Sequence, residues 1–186
     1  THLSNLAMMC GGCDLATICG QVDELGSMEG IDTALFFITS PGGQASMVPE
    51  TVAAIEALEL KTVAYTGMAL DRELKQEATA PQMASAAYYL AAACDRIYAA
   101  PSAVVGSISA IIRGEDNSKQ WEKEGRESIV ARTGKFKGRG APGKPWTPEE
   151  RALLDRQAAA IGEPFKQYVR KRRGVSAEVV EGQWFY

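Results

Sequence analysis

The sequence feature that most constrains the fold is a short apolar run that ends in a turn. Residues 33–39 (TALFFIT) combine aromatic and β-branched side chains and carry no charge, which is typical of a strand buried on both faces of a parallel sheet. The run stops at residues 40–43 (SPGG), a strong turn signal. An amphipathic helix over 47–58 and a second short strand over 61–66 follow. This alternation with short links predicts an α/β fold with a largely parallel sheet and flanking helices.

The rest of the chain continues this pattern. Thr147 can cap a long helix in which Pro148 takes the first position and Glu150 closes a capping box. Residues 132–146, just before it, form a long loop rich in Gly, Pro, Lys and Arg. Because a domain averages about 150 residues, we expect residues 1–186 to form a single domain. Helices are predicted at 14–26, 71–80, 83–94, 117–124, from Thr147 to about Arg172 and in a short last segment from Ser176, and further strands at 96–99, 103–112 and 128–131.

Charge and histidine content exclude several classes of function. The formal net charge is −3, which argues against general nucleic-acid binding. The one histidine is His2, so a Ser-His-Asp triad, a two-His zinc site and haem ligation are all disfavoured. Cys10 and Cys13 form a CxxC pair, but a zinc site needs two more ligands and only Cys19 is near. We therefore expect no metal, no cofactor, and reduced cysteines in a reducing compartment.

Hydropathy argues against a membrane span in this chain. The uncharged apolar stretch at residues 97–112 has 16 residues and is interrupted by Pro101 and Gly106, so it is too short to cross a bilayer. The chain does not open with a basic and then apolar signal peptide. It begins with Thr1 rather than Met, which leaves room for a missing upstream segment, including an anchor. We expect a cytoplasmic location.

Three short segments are candidates for chemistry. In residues 40–43, two glycines leave backbone N–H groups free to approach a ligand, although an ordinary turn between strand and helix has the same pattern. Ser85, in residues 84–89 (ASAAYY), begins an alanine-rich helix, where positive partial charge gathers; a plain N-cap serine is the alternative. Residues 134–138 (GKFKG) place lysines between glycines, and a solvated basic loop is the alternative there.

These segments and residues 106–108 (GSI) occur in the order found in a known family. From about Ile31 to its end, the chain resembles the signal peptide peptidase A family of serine peptidases, which also contains the phage head-maturation proteases called protein C. The helix start at 147–151 (TPEER) looks like that family as well. The resemblance implies a fold of the crotonase/Clp-protease type, a spiral of ββα units, which agrees with the pattern of strands and helices.

The resemblance also implies a Ser–Lys catalytic dyad. Ser85 matches the nucleophile of the family, and Lys137, 52 residues later, matches the general base. Ser107 matches the serine that hydrogen-bonds and orients this lysine. Gly43 and Ala86 match the two positions whose backbone N–H groups form the oxyanion hole.

This chemistry needs a neutral amine at Lys137. A serine hydroxyl is a poor nucleophile until a base takes its proton, and lysine can do so only if burial and the lack of a carboxylate partner lower its pKa from about 10.4. No Asp or Glu lies between Ser128 and Thr147, and the cations Lys135 and Arg139 would lower the pKa further. The choice of Lys137 over Lys135 depends on the 52-residue spacing from the nucleophile.

The chain departs from the family in four places. Ala86 stands where glycine usually follows the nucleophile, and Ser109 stands where glycine is common. Residues 70–83 are an unusual insertion before the nucleophile. The first strand of the family would precede Thr1. We therefore interpret residues 1–186 as one peptidase domain whose first strand lies upstream.

The sequence predicts a serine endopeptidase that cleaves extended peptide segments, which pair with strand edges near the site. Gly42 and the apolar side chains of Met47, Val48 and Leu90 are the predicted substrate contacts. The missing membrane span favours a phage or prophage capsid-maturation protease over a membrane-anchored signal-peptide hydrolase. The alternatives are a catalytically silent scaffold or assembly protein of the same fold and, less favoured, a crotonase-type acyl-CoA enzyme, which would leave the serine and lysine spacing unexplained.

Two features bear on partners besides a peptide or protein substrate. The resemblance implies a ring-like homo-oligomer, and the long glycine-rich loop of Lys137 leaves room for a dyad completed across a subunit interface, where a neighbour would position and desolvate the lysine. The basic residues Lys166 and 170–173 near the end of the long helix are interpreted as a solvated helix end favoured by the helix dipole. A subunit contact is the alternative for this cluster.

Overall fold

The computed structural model describes residues 13–67 and 80–185 of the chain. These residues form two compact units, the first with the described residues up to Ser109 and from Pro164 onwards, the second with residues 110–163. No helix among them is long and apolar enough to cross a membrane. The helices are α1 (Leu15–Gly26), α2 (Val48–Glu56), α3 (Ala86–Ala93), α4 (Ser118–Lys123) and α5 (Pro148–Arg173), with a 3-10 helix at Ala177–Val180; the strands are β1 (Thr33–Phe37), β2 (Lys61–Thr66), β3 (Gln82–Ala84), β4 (Arg96–Ala99), β5 (Val104–Gly106) and β6 (Trp184–Phe185).

The first sheet is parallel throughout, with the strand order β1-β2-β4. Its strands are aligned so that Tyr65 lies opposite Phe37 on one side and Tyr98 on the other. Ala64 is buried in the core, whereas Leu35 is 66% exposed and Phe37 is 47% exposed. The prediction that residues 33–39 are buried on both faces is therefore wrong. Within the described part of the chain, one face of this sheet packs on helices and the other stays open.

The second sheet is mixed: β3 and β5 are parallel, and β5 and β6 are antiparallel. A bridge between Ser40 and Met83 links the loop after β1 to β3. In this bridge the N–H of Ser40 donates to the carbonyl of Gln82 at 2.8 Å, and the N–H of Ala84 donates to the carbonyl of Ser40 at 3.2 Å. The predicted α/β class with a largely parallel sheet and flanking helices is confirmed.

The helices α1, α2 and α3 form the core of the first unit together with the first sheet. Val22 of α1, Val52 of α2 and Ala91 of α3 are each at most 4% exposed. Just past α3, the carboxylate of Asp95 accepts hydrogen bonds from the backbone N–H and the hydroxyl of Thr62 in β2, at 2.9 and 3.2 Å. The backbone bond from Thr62 is the main reason why the pKa of Asp95 lies below its usual value. The end of α3 is thereby fixed to the sheet.

Two predicted helix starts are confirmed with their caps. The helix predicted at 14–26 is α1, and the carboxylate of Asp14 accepts the N–H of Ala16 at 3.2 Å. The capping box is present before α5: the N–H of Thr147 donates to the carboxylate of Glu150 at 3.0 Å, and the N–H of Glu150 donates to the Thr147 hydroxyl at 3.2 Å. Local polar side chains therefore set both helix boundaries.

Other predicted elements are wrong in extent or kind. No strand forms at 128–131, and Ile129, the central apolar residue of this segment, is 89% exposed rather than packed on a core. Only β5 is regular within the strand predicted at 103–112. The helix predicted at 83–94 begins late because residues 82–84 pair with β5 as strand β3.

The connection between β2 and β3 carries the predicted insertion. Residues 68–79 lie outside the described residues, and the helix predicted at 71–80 falls there apart from its last residue. Of the insertion predicted at 70–83, the last two residues, Gln82 and Met83, belong to β3. The strand that leads to Ser85 is therefore built partly from residues assigned to the insertion.

The second unit is organised around α4 and the glycine-rich loop before α5. The side-chain oxygen of Asn117 accepts the N–H of Gly143 at 2.8 Å. The indole N–H of Trp146 donates to the carbonyl of Glu115 at 2.9 Å. These two bonds fold the loop back onto the start of α4.

Candidate active site

Ser85 lies at a sharp turn between β3 and α3. Its backbone has φ 53° and ψ −125°, in the left-handed range that residues other than glycine rarely adopt. Such strain costs about 1–3 kcal/mol and is concentrated at functional sites. The Ser85 side chain makes no capping hydrogen bond to α3, so a plain N-cap role is wrong. The turn instead presents the hydroxyl at the helix end where unpaired N–H groups gather.

The loop of residues 40–43 packs directly on this turn. Gly42 has φ 96°, and a Cβ atom built on it would lie 2.7 Å from the Cβ of Ser85 and 2.9 Å from the nitrogen of Ala86. Only glycine fits at this contact, both for its backbone conformation and for space. The hydroxyl oxygen of Ser40 accepts the N–H of Gly42 at 3.1 Å and fixes the loop. The structure therefore brings together two of the three segments that the sequence singled out.

Two backbone N–H groups at this contact lack an acceptor. Among the described residues, neither the N–H of Gly43 nor that of Ala86 makes a hydrogen bond. Ala86 is the first residue of α3, and the first four N–H groups of a helix have no partner inside it. Gly43 is exposed and has open space around it. Free N–H groups beside a serine hydroxyl can stabilise a negative charge that develops on a bound carbonyl oxygen.

Ser107 is the first residue after β5, just as Ser85 is the first residue after the neighbouring strand β3. Ala84 lies opposite Gly106 in the parallel pair β3-β5, so the two serines end adjacent strands, whose axes are about 4.8 Å apart. The N–H of Ser85 donates to the carbonyl of Gly106 at 2.9 Å, and the N–H of Ser107 donates to the carbonyl of Gln183 at 2.6 Å. Gly106 has φ 112° and Ser107 has φ 52°. Both serines are therefore held in left-handed backbone conformations by strand pairing.

Lys137 belongs to the second unit, whereas both serines belong to the first. Its side chain is exposed, and it makes no ion pair within the described residues. Lys135 differs, because its amine lies 2.6 Å from the carboxylate of Glu149. Lys137 also lines an open groove of about 580 Å3 in the second unit, with Phe136 and Arg139 among its neighbours. The lack of a carboxylate partner favours Lys137 over Lys135 as the base, and its pairing with Ser85 stays a prediction.

The predicted substrate contacts differ in how much surface they offer. Met47 is half-buried and has φ 65° at the residue before α2. Leu90 is half-buried and packs against the core. Val48 is 2% exposed, so its side chain is part of the core and offers no surface to a substrate. Gly42 contacts the Ser85 turn. As substrate contacts all four stay predictions, and Val48 has no geometric support.

Two arginines at the end of α5 have contacts that the sequence interpretation missed. Arg172 and Arg173 were interpreted as part of a solvated helix end, and this is wrong for both. Their guanidinium groups donate to backbone carbonyls at the end of α3. Lys166 pairs with Glu181 at 3.1 Å and its side chain is only 15% exposed, whereas Arg170 and Lys171 are exposed, as the interpretation of a solvated helix end expects. The basic cluster was visible in the sequence, but nothing local indicated which helix it would contact.

Residues 69–182, more than half of the chain, match Peptidase family S49. The chain is also similar to a Methanocaldococcus jannaschii protein named "Putative protease MJ0651", with 26% identity over 156 residues that cover 83% of this chain and 46% of that protein. It is 25% identical over 164 residues to an Enterococcus faecium protein named "Putative signal peptide peptidase SppA", covering 87% of this chain and 44% of that protein.

The chain therefore belongs to Peptidase family S49, the family of signal peptide peptidase SppA, whose members are serine peptidases with a Ser–Lys dyad and a ClpP/crotonase-like fold. The resemblance inferred from the sequence motifs is thus confirmed. The chain spans less than half the length of the two curated relatives described above.

Proposed function

We propose that this protein is a serine endopeptidase in which Ser85 is the nucleophile and Lys137 is the general base. The observation that supports the proposal is the contact between Gly42 and the Ser85 turn, next to which the N–H groups of Gly43 and Ala86 make no hydrogen bond among the described residues. A nucleophile next to two free donors is the arrangement that acyl transfer needs.

The reaction follows from these groups. Lys137 takes the hydroxyl proton as the oxygen of Ser85 bonds to the carbonyl carbon of the substrate, and the carbonyl oxygen becomes an oxyanion. The N–H groups of Gly43 and Ala86 stabilise this charge, each worth roughly 3–4 kcal/mol in comparable sites. The C–N bond then breaks, and the leaving amine receives the proton from Lys137. In the second half, Lys137 takes a proton from water as the water oxygen bonds to the ester carbonyl carbon. The C–O bond to Ser85 then breaks, and the serine oxygen receives the proton from Lys137.

Ser107 completes the proposal as the residue that orients the lysine. It ends the strand adjacent to that of Ser85 and holds a left-handed backbone conformation. A hydroxyl in this position can accept a hydrogen bond from a lysine amine and donate one in turn. Its proposed role is positioning rather than attack on the substrate.

Lys137 needs an environment that lowers its pKa. The side chain is exposed within the described chain, whereas a lysine base must lose water contacts to become neutral near pH 7. We include in the proposal a homo-oligomer in which a neighbouring subunit covers the Lys137 loop. Lys137 has no carboxylate partner among the described residues, so no ion pair holds its amine in the charged form. A subunit that covers the loop and removes water from this amine would therefore lower its pKa, which supports the proposed oligomer.

The proposed substrate is an extended peptide segment of a protein. The strands beside the site are short, and extended peptides are recognised by backbone pairing with such strand edges. Within this class we favour a phage or prophage capsid protein, and a signal peptide is the second candidate because one relative is named for that activity. A cytoplasmic location belongs to the same proposal and is supported by free thiols at Cys13, Cys19 and Cys94.

A fluorophosphonate probe tests the nucleophile directly. We expect the chain to be labelled at Ser85, with loss of labelling in Ser85→Ala. Ser102→Ala, which removes an exposed serine in a turn, is the matched control and should label like the natural sequence. A folded protein that takes up no probe would support the catalytically silent scaffold instead. A label found on Ser107 would exchange the roles of the two serines.

A further inference from the structure

The C-terminal end of α3 is bound by two guanidinium groups from α5. Arg173 donates to the carbonyls of Ala91 and Ala92, at 3.2 and 2.9 Å, and also to that of Cys94. Arg172 donates to the carbonyl of Ala93 at 2.9 Å. The last four carbonyls of a helix have no partner inside it. The two arginines therefore satisfy the end of the helix that begins immediately after Ser85.

The two arginines differ in whether a nearby carboxylate compensates their positive charge. Arg172 lies 3.4 Å from the carboxylate of Asp95 and 3.9 Å from that of Glu56, so its charge is largely compensated. Arg173 makes no ion pair within the described residues, and its hydrogen bonds go to carbonyl oxygens. Arg173 thus places an uncompensated positive charge at the negative end of the α3 dipole.

We propose that Arg173 is a positioning residue for the candidate active site that acts through α3. It anchors the C-terminal end of the helix and neutralises the negative pole there, which raises the positive potential at the N-terminal end, where Ser85 and the N–H of Ala86 lie. The importance of Arg173 for catalysis rests on the proposed function, whereas its effect on the electrostatic potential at Ser85 holds whether or not the protein is a peptidase.

The expected size of the effect follows from the length of the helix. Eight residues at about 1.5 Å each separate the two ends by about 12 Å. Two unit charges at about this distance and an effective dielectric constant of about 20 interact by an energy that corresponds to about a tenfold change in an equilibrium or rate constant. The same energy corresponds to about one pKa unit for an acid placed at the N-terminal end.

A thiol introduced by Ser85→Cys measures this potential without any need for peptidase activity. Its pKa is obtained from the pH dependence of iodoacetamide alkylation, followed by mass spectrometry on the peptide that contains residue 85. We expect Arg173→Gln to raise the pKa of this thiol by about one unit. Lys171→Gln is the matched control, because it removes the same charge from an exposed neighbour on α5. Solvent and salt screen an exposed charge, so this control should shift the pKa by less than a third as much.

The outcomes separate this inference from the proposed function. An unchanged thiol pKa in folded Arg173→Gln, or an equal shift in Lys171→Gln, would overturn the inference. If Arg173→Gln does not fold, Arg173→Met decides, because it also removes the charge with a long side chain: a rise of about one unit in the thiol pKa supports the inference, and a thiol pKa equal to that of the Ser85→Cys parent overturns it. Absence of fluorophosphonate labelling in the natural sequence, together with the expected thiol shift, would sink the peptidase proposal and leave this inference standing.

Discussion

Replacement of Gly42 by alanine tests the contact on which the candidate active site depends. The new Cβ atom would lie 2.7 Å from the Cβ of Ser85, 2.8 Å from the carbonyl oxygen of Ala84 and 2.9 Å from the nitrogen of Ala86. Carbon atoms in good contact are about 3.5–4.0 Å apart. The loop, the Ser85 turn or both must therefore move by roughly 0.5–1 Å, which changes the positions of the two proposed oxyanion donors, the N–H groups of Gly43 and Ala86.

The cost in stability has two parts. The left-handed conformation of Gly42, with φ 96°, costs about 1–3 kcal/mol for a residue with a side chain. Overpacking against backbone atoms costs about 1–3 kcal/mol more. We expect the free energy of unfolding to fall by about 2–6 kcal/mol, which is less than the stability of about 10 kcal/mol found in the middle of the range for folded domains. Displacement of one oxyanion donor lowers the rate by about 100- to 1000-fold.

The assay combines urea unfolding, followed by circular dichroism, with the rate of fluorophosphonate labelling in the absence of urea. Gly30→Ala is the matched control, because Gly30 has φ 78° but no atom within 4 Å of its added Cβ. It carries only the conformational cost and should label at the natural rate. If Gly42→Ala labels at the natural rate, or is destabilised no more than Gly30→Ala, the proposed contact does not organise the site.

Four further predictions concern the proposed base, Ser107, the oligomer and the buried thiol of Cys94. Lys137→Ala should abolish peptide hydrolysis while Lys135→Ala, which loses only a surface ion pair with a carboxylate, keeps most of it; the reverse result would move the dyad. Ser107→Ala should lower turnover by tenfold or more, with labelling at Ser85 retained, as measured by mass spectrometry of the labelled peptide. Mixing Ser85→Ala with Lys137→Ala should restore some hydrolysis if subunits complete each other's sites, and a fully active monomer by light scattering would exclude this. Burial raises the pKa of the Cys94 thiol from 9.0 to about 11, so the unfolded chain releases this proton at a lower pH than the folded chain does. The free energy of unfolding should therefore fall between about pH 9 and 11, and Cys94→Ala should reduce that fall in urea titrations.

The sequence was informative where one local interaction decides the structure. The Asp14 cap and the capping box between Thr147 and Glu150 lie within three residues of their partners, so the printed sequence contains all of their determinants. The left-handed turn at Gly42 is similar, because two glycines after a strand indicate a close backbone approach. What the glycines approach depends on strand pairing, and only the structure brings them against Ser85.

The sequence misled where distant parts of the chain decide burial. The strand predicted at 128–131 has the right composition, but Ile129 is almost fully exposed. The exposed face of β1 at Leu35 shows the same limitation, since a continuous apolar run cannot tell which faces are covered. Two of the three residues of β3, Met83 and Ala84, fall in the helix predicted at 83–94, because alanine-rich flanks mask a strand this short. The contacts of Arg173 with α3 are a long-range case that no local pattern indicates.

The bridge between Ser40 and Met83 has a consequence for the order in which a newly made chain acquires reactivity. The two residues are 43 positions apart and come from segments that pair with different sheets. Contacts between distant positions close a long loop, which carries an entropic cost and forms late in folding. Under the proposed function, a chain that has not yet formed this bridge holds Ser85 and the adjacent N–H of Ala86 without the N–H of Gly43. On that proposal, a nascent or unfolding copy would leave its neighbours intact, and peptide-bond cleavage would be reserved for molecules whose tertiary structure is complete.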